Sequence, residues 1–327
     1  MKSIIRGNTK CVCLLGFPVA HSISPQIHNR AFQALGLPYT YIPLSVPPEN
    51  LHNAIYTLRA SMAGANITIP HKEAALKFCD EISELSMATG TVNTLYMKNG
   101  RLCGTTTDPI GFYKALQLSG HSLSGDDNVV ILGSGGTAKT LGAAMLVDKK
   151  CKSLTIAARS VEKAAALTSS LEKIKNTSTS ITIKHCKLGS SDSINAFADC
   201  SLLVNCTSVG MYPDIDDTPL DKSLFHPGMT VFDVIYNPDV TRFLREAGEV
   251  GCNTKNGLMM LLYQGLESFR YWTGVDAPVD FFDEDLLRSL VDKKYSSSTS
   301  KLHLITRDDC TLLRDAAGQC KCNFKVE

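Results

Sequence analysis

A lysine and an aspartate lie at the ends of two segments that could close one cleft. Lys72 follows Asn66-Ile67-Thr68-Ile69-Pro70-His71, where Asn66, Thr68 and Pro70 share one face of a strand. Asp108 stands at the exit of a hairpin in which Asn93 also lies. By type alone a lysine there is a solvated surface charge. Beside a carboxylate in a closed cleft it is an acid or a base. Spacing alone leaves both readings open. A second group is His21-Ser22-Ile23-Ser24-Pro25, between a strand and a helix. Its two hydroxyls, one residue apart, could hold a small anion near the helix N-terminus. The alternative for Ser24 is plain N-capping, with Pro25 in the first turn.

A third group is Gly133-Ser134-Gly135-Gly136-Thr137-Ala138, which follows a strand and opens a helix. That is the setting a dinucleotide fingerprint requires. Gly133 allows the tight turn, Gly135 lets the backbone approach a pyrophosphate, and Ala138 permits close helix–strand packing. The next strand ends Ala157-Ala158-Arg159-Ser160, with Lys163 one turn on. NAD sites usually end this strand with an acidic residue for the ribose hydroxyl. Arg159 and Lys163 suit a 2′-phosphate instead, with Ser160 as a hydrogen-bond donor, so the expected cofactor is NADP. The alternative is a solvated basic pair, which the dipole at a helix start disfavours.

The elements that must position these groups fall into two textures. Over the first hundred residues strands are expected at Cys11–Gly16, Tyr39–Val46 and Gly64–Pro70. Helices are expected at Pro25–Leu35, Pro48–Ala60 and Lys72–Ile82. Thr91–Met97 and Arg101–Thr107 flank Lys98-Asn99-Gly100, a hairpin signal. From Asn128 the rhythm is β-α-β. Strands are expected at Asn128–Leu132, Ser153–Ala158, Ile181–Leu188, Ser201–Asn205 and Met229–Ile235. Helices are expected at Thr137–Val147, Val161–Lys173 and Asp192–Phe197. Lys173–Ser180 reads as a polar loop, Gly257–Trp272 as a long amphipathic helix, and the serine-rich run beyond Lys293 as linker-like.

The chain has 327 residues, a prior of about two domains. Charged residues make up 20 % and the formal charge is +1, which argues against broad binding to nucleic acid or anionic membranes. No apolar run approaches the roughly 18 residues of a membrane span. Met1–Lys10 has neither a secretory apolar region nor the length of an obvious transit peptide, so a cytoplasmic location is expected. Twelve cysteines contain no Cys-x-x-Cys pair and no zinc-finger spacing. Reduced thiols and no metal site are expected.

The ordered motifs extend this reading. G-F-P-V-A-H-S-I-S-P from Gly16, G-A-N-I-T-I-P-H-K from Gly64, G-T-V-N-T from Gly90 and G-T-T-T-D from Gly104 occur in the first part. G-S-G-G-T-A from Gly133, N-C-T-S-V-G-M from Asn205, D-V-I-Y-N-P from Asp233 and N-G-L-M-M-L-L-Y-Q-G from Asn256 follow. From about residue 11 to 290 the chain resembles the shikimate dehydrogenase family. The resemblance implies two α/β domains, an N-terminal substrate-binding domain and a Rossmann-like doubly wound NADP-binding domain. The expected division is 1–108 plus 257–290 for substrate and 109–256 for NADP, with 291–327 a tail of no assigned role. It implies Lys72 and Asp108 as a catalytic dyad, and Ser22 and Ser24 as holders of a substrate carboxylate. Thr68, Asn93 and Gln264 are implied as partners of ring hydroxyls, and Tyr236 as a further substrate contact. Arg159, Ser160 and Lys163 match the NADP-selecting turn; Met211 and Gly257 match positions lining the nicotinamide. The chain departs from the family's common asparagine at Thr106 and Ala158.

The activity so implied is reversible NADPH-dependent reduction of 3-dehydroshikimate to shikimate, in chorismate and aromatic amino acid biosynthesis, by a monomer or homodimer. The rivals are a quinate or quinate/shikimate dehydrogenase and a catalytically dead relative that senses the metabolite. Retention of both Lys72 and Asp108 speaks against the last. A methylenetetrahydrofolate dehydrogenase does not suit the H-S-I-S-P and D-V-I-Y-N-P segments.

Overall fold

The computed structural model describes residues 5–20, 22–174 and 180–297, with two-residue strands at Leu313–Arg314 and Cys320–Lys321. His21, most of the Lys173–Ser180 loop, and Cys310 and Cys322 of the tail lie outside the described residues.

Two six-stranded sheets form the molecule. The first contains β1 (Lys10–Gly16), β2 (Tyr39–Ser45), β3 (Gly64–Ile67), β4 (Glu81–Ile82), β5 (Thr94–Lys98) and β6 (Arg101–Thr105), in the order β2-β1-β3-β5-β6-β4. β1 runs parallel to β2 and β3, while β5 is antiparallel to both β3 and β6. Asn99 and Gly100 turn the β5–β6 hairpin with positive φ, as the Asn-Gly pair implies. Helices α1 (Ser24–Ala34), α2 (Leu51–Ser61) and α3 (Glu84–Thr89) belong to this part. α4 (Asp108–Leu118) leads out of it.

The second sheet is wholly parallel: β7 (Asn128–Leu132), β8 (Ser153–Ala158), β9 (Thr182–Lys187), β10 (Leu202–Asn205), β11 (Thr230–Asp233) and β12 (Asn253–Lys255). Its order, β12-β11-β10-β7-β8-β9, is doubly wound and reverses between β7 and β10. A crevice at the carboxyl ends of those two strands is where such sheets bind ligands. Helices α5 (Gly136–Val147), α6 (Val161–Ile174), α7 (Ser191–Ala198) and α8 (Arg242–Val250) accompany the strands. β7 is apolar without alternation from Val129 to Leu132 because both faces are covered.

After β12 the chain returns through α9 (Leu258–Thr273), and α10 (Glu284–Ser297) follows. α9 packs on α1, α4 and β5 of the first half. The approach is close: a Cβ on Gly111 of α4 would meet the Met260 carbonyl at 2.5 Å. Trp272, near the end of α9, packs against Gly64 of β3, donates its indole N–H to the Leu95 carbonyl (3.0 Å) and edges against the His28 ring. One apolar core runs from α1 and β1 through Phe112 of α4 and Leu262 of α9 to β7, β8 and α5.

The structure revises several expectations. Lys72–Ile82 is not one helix. A 3₁₀ turn covers Ala74–Phe78, and Glu81–Ile82 pairs with Cys103–Gly104 as β4. Arg59 holds the chain out of helix by a fork on Asp80 and a bond to the Phe78 carbonyl. Strand β3 ends at Ile67, short of Pro70. Ser24 does not cap α1. It lies within the helix, Ile23 occupies the capping position, and the Ser24 N–H donates to the Ser22 hydroxyl (3.2 Å). α10 extends to Ser297, into the run read as linker-like. Nine cysteines among the described residues are free.

Candidate active site

The loops that carry Lys72 and Asp108 are pinned before their side chains meet. His71 is buried with its ring on the Val46 carbonyl (2.7 Å), and its N–H closes a turn onto the Thr68 carbonyl. The Lys72 carbonyl accepts the Val92 N–H (2.9 Å), fixing the lysine to the strand that leads into β5. Asp108 is the first residue of α4, where the helix dipole favours a carboxylate. Lys72 Nζ donates to Asp108 Oδ2 at 2.6 Å. The aspartate side chain is 10 % exposed and the lysine 28 %, so the pair opens to solvent from the lysine side.

Asn93 orients that carboxylate. Its Oδ1 accepts the Thr107 N–H (2.9 Å) and the Thr94 hydroxyl (2.8 Å), which settles which way the amide faces. Nδ2 therefore points to Asp108 Oδ1 (2.7 Å) and Gln264 Oε1 (3.2 Å). Behind it, Ser268 bonds to Thr94, Thr107 and Asn66, and Asn66 accepts the Tyr41 hydroxyl. These buried polar groups are mutually satisfied, the condition under which such a network holds one geometry. Thr106 stands apart: its buried hydroxyl has no partner.

The pair opens into a pocket of about 240 Å³. Ser22, Ser24, Thr68, Asn93 and Gln264 line it from the first half and α9, and Thr137, Val234, Tyr236 and Gly257 from the segments around the second sheet. Gly257 has no room for a side chain, since a Cβ would lie 2.1 Å from the Val234 carbonyl.

A larger cleft of about 630 Å³ lies at the topological switch point. Gly133–Gly135 after β7, Ala158–Ser160 after β8 and Cys206–Val209 after β10 line it, with Lys163 of α6. Gly133 has φ +102°, and its absent Cβ would press on Thr207. Gly135 and Gly136 face open space where side chains would project. The free N–H groups of α5 start there, and Ala138 is buried against the sheet. Thr137, two residues past Gly135, lines the smaller pocket, so the Gly133–Thr137 segment borders both cavities. Arg159 is exposed at the rim. The Ser160 hydroxyl accepts the Lys163 N–H (3.2 Å) and donates to Glu162 (2.7 Å). Met211, on the loop after β10, is 46 % exposed and lines neither cavity.

Asp233, at the end of β11, ties the two cavities together. It is fully buried and accepts from Asn205 Nδ2 (3.0 Å), the Ile235 N–H (3.1 Å) and the Thr241 hydroxyl (2.7 Å). Asn205 in turn accepts the Thr207 N–H and hydroxyl. Burial pushes the Asp233 carboxyl up to about 6 despite these donors.

Sequence reasoning missed Thr107, Ser268 and Asp233 as parts of the site. Ser268 had a signal, since it lies four residues after Gln264 on the same face of α9. Asp233 opens the D-V-I-Y-N-P motif, but its supporting role was not legible because its partners Asn205 and Thr241 come from other segments.

A doubly wound sheet with a glycine turn and a basic second-strand end, joined to a polar pocket holding a Lys–Asp pair, defines a dinucleotide-dependent oxidoreductase of two α/β units. Comparison with known proteins narrows this class. Residues 14–95 match the shikimate dehydrogenase substrate binding domain, 116–197 match shikimate / quinate 5-dehydrogenase, and 257–284 match the shikimate 5'-dehydrogenase C-terminal domain. The shikimate dehydrogenase (NADP(+)) of Methanothermobacter thermautotrophicus is 40 % identical over 296 residues, covering 88 % of this chain and 99 % of that one. Among solved structures, shikimate 5-dehydrogenase from Listeria monocytogenes, in complex with shikimate and NAD, superposes with TM-score 0.81 at 32 % identity. That match covers 88 % of this chain and 99 % of the other. The Thermus thermophilus enzyme, in complex with NADP(H) and shikimate, gives 0.74 at 32 % identity, with 87 % and 99 % covered. The chain belongs to the shikimate dehydrogenase family.

Proposed function

We propose that this protein is an NADP-dependent shikimate dehydrogenase, interconverting 3-dehydroshikimate and shikimate in chorismate and aromatic amino acid biosynthesis. One observation carries the reading. The pocket that holds the Lys72–Asp108 pair is also lined by Thr137 and Gly257, and Thr137 lies two residues past the glycine turn of the dinucleotide cleft. A small polar substrate and a nicotinamide can therefore meet at the dyad.

The residues fit the cofactor. The empty space at Gly135 and Gly136 and the N–H groups of α5, from Thr137 and Ala138, suit a pyrophosphate over Gly133. Arg159, Ser160 and Lys163 suit a 2′-phosphate. Gly257, in the wall of the smaller pocket, is assigned to the nicotinamide side; for Met211, which lines neither cavity, that assignment rests on the family resemblance alone. When bound, NADP accepts or supplies the hydride of the reaction.

The chain's own residues bind, orient and protonate. Ser22 and Ser24 take the substrate carboxylate, Ser24 being released from capping duty. Thr68, Asn93 and Gln264 face the ring hydroxyls, and Tyr236 closes the far side. Lys72 Nζ delivers the proton to the ring oxygen during ketone reduction and recovers it in reverse. Asp108 aims Nζ and shares the proton, held in turn by Asn93. The same reading assigns 1–108 with 257–290 to substrate, 109–256 to NADP and no role to 291–327. It places a monomer or homodimer in the cytoplasm; among the described residues no helix is long and apolar enough to cross a membrane.

The test is a matrix of shikimate and quinate, each with NADP⁺ and NAD⁺, followed by absorbance of the reduced nicotinamide. Shikimate with NADP⁺ is expected to turn over fastest, with kcat/KM above that for quinate by roughly 10²-fold. Comparable turnover of quinate moves the assignment to a quinate/shikimate dehydrogenase. No turnover with any pair leaves a metabolite-binding relative.

A further inference from the structure

The turn that selects the 2′-phosphate contains an anion of its own. Ser160 caps α6: its oxygen accepts the Lys163 N–H at 3.2 Å, and its single hydroxyl proton goes to Glu162 Oε2 at 2.7 Å. A serine hydroxyl has one proton to give. A phosphate brings only acceptors, so it takes that proton by displacing the Glu162 carboxylate. Glu162 lies outside the cleft wall, whereas Ser160 and Lys163 belong to it. The carboxylate's hydrogen bond to the cofactor wall is the one from Ser160.

Glu162 remains an anion under ordinary conditions. The Ser160 donor, a backbone N–H and the nearby Lys187 hold its carboxyl below the usual range. A 2′-phosphate bound by Arg159 and Lys163 thus arrives beside an existing negative charge competing for the same donor. This differs from the acidic residue of NAD sites, which ends the second strand and bonds the ribose hydroxyl. Here the residue just past that strand is Arg159, and the acid sits three residues further on, inside the first turn of the helix.

We propose that Glu162 is a specificity-determining residue of the cofactor site, competing with the 2′-phosphate for the Ser160 hydroxyl and so moderating the preference for NADP over NAD. The proposal rests on the NADP reading above. It makes the basic turn self-limiting: Arg159 and Lys163 attract the phosphate, and Glu162 caps the gain.

The test measures binding, not turnover. Adenosine 2′,5′-bisphosphate and adenosine 5′-monophosphate are titrated calorimetrically into the full-length protein, the Glu162→Gln variant and the Ser160→Ala variant, at low and high salt. Glutamine keeps the length and an acceptor oxygen and removes the charge. Glu162→Gln is expected to tighten the bisphosphate about five- to twentyfold at low salt, because a like charge competing for the same hydroxyl is removed. The monophosphate should be unchanged, and the gain should shrink at high salt. Ser160→Ala should weaken the bisphosphate and leave the monophosphate unaltered.

An unchanged or weaker bisphosphate affinity in Glu162→Gln overturns the inference and reduces Glu162 to a helix-start charge. If the unmodified protein does not distinguish the two nucleotides, the NADP reading fails. In that event a preference created by Glu162→Gln still supports the competition, and none at all removes both. Equal tightening of both nucleotides overturns the inference as well, because the effect then lies in general charge.

Discussion

Asp108 uses both carboxylate oxygens at once, one on Lys72 and one on Asn93, so lysine and aspartate behave as a single unit. Lys72→Ala is expected to lower kcat roughly 10²- to 10⁴-fold with a small change in KM. Steady-state kinetics that show a change in KM alone would assign the lysine to binding. Asp108→Asn impairs the same step, and the double variant should be far less damaged than the product of the two single effects. At the other cavity, Arg159→Ala should weaken NADP⁺ roughly ten- to a hundredfold and leave NAD⁺ nearly unchanged, by fluorescence titration. Equal losses for both would place Arg159 in the fold or at the adenine. The residues assigned to this chemistry could be picked out in the chain. The Ser24 ambiguity could not, because capping depends on where the first helical turn begins. Nor could the Thr107–Ser268–Asn66 support, whose members lie far apart in sequence.

Elements with strong periodicity or a parallel-sheet apolar run were legible; those made by tertiary pairing were not. The Ala74–Cys79 stretch has helical spacing, yet Arg59 and the pairing of β4 with β6 decide its path. α4 went unread because Pro109 and Gly111 weaken its propensity. Proline suits a first turn, and the glycine is needed for contact with α9. α8 carried a Thr241 cap and a left-handed Gly251 end that would have disclosed it. Just before it, Asp233 gives the second sheet a titrating element. Its carboxyl is raised to about 6 from an ordinary value near 4, so the native state binds the extra proton between those values. Its contribution therefore reduces stability as pH rises from about 4 to 6 and is constant above. Asp233→Asn keeps the two accepted bonds at Oδ1, replaces the Thr241 acceptor by an amide donor, and should remove that slope. Urea melts of both proteins across pH 4 to 8, in steps of about half a unit, measure the difference. Parallel pH curves would show that Asp233 keeps its ordinary ionisation.

At the scale of the molecule, both sheets share one core through α4 and α9, and the two cavities border neighbouring residues of the Gly133–Thr137 segment. Shikimate and NADP⁺ together should therefore raise the melting temperature more than either alone. Each adds about 2.7 kcal/mol at a hundredfold excess over its Kd. Calorimetry that finds no shift with either ligand would count against the site. The two-part plan could be read from the change of rhythm at Asn128. The return of α9 to the first half could not be read from its stripe, which says only that one face is buried. That return also gives the molecule an optical property. Trp272 is the chain's single tryptophan, 7 % exposed, with its indole bonded to Leu95 and set against His28. Indole emission thus reports one half of the protein, while circular dichroism reports both. With a continuous core the two signals should lose structure at the same urea concentration, and separate midpoints would mean that the halves melt independently. A reduced nicotinamide absorbs where indole emits, so the unlabelled protein carries its own donor for following cofactor arrival by energy transfer.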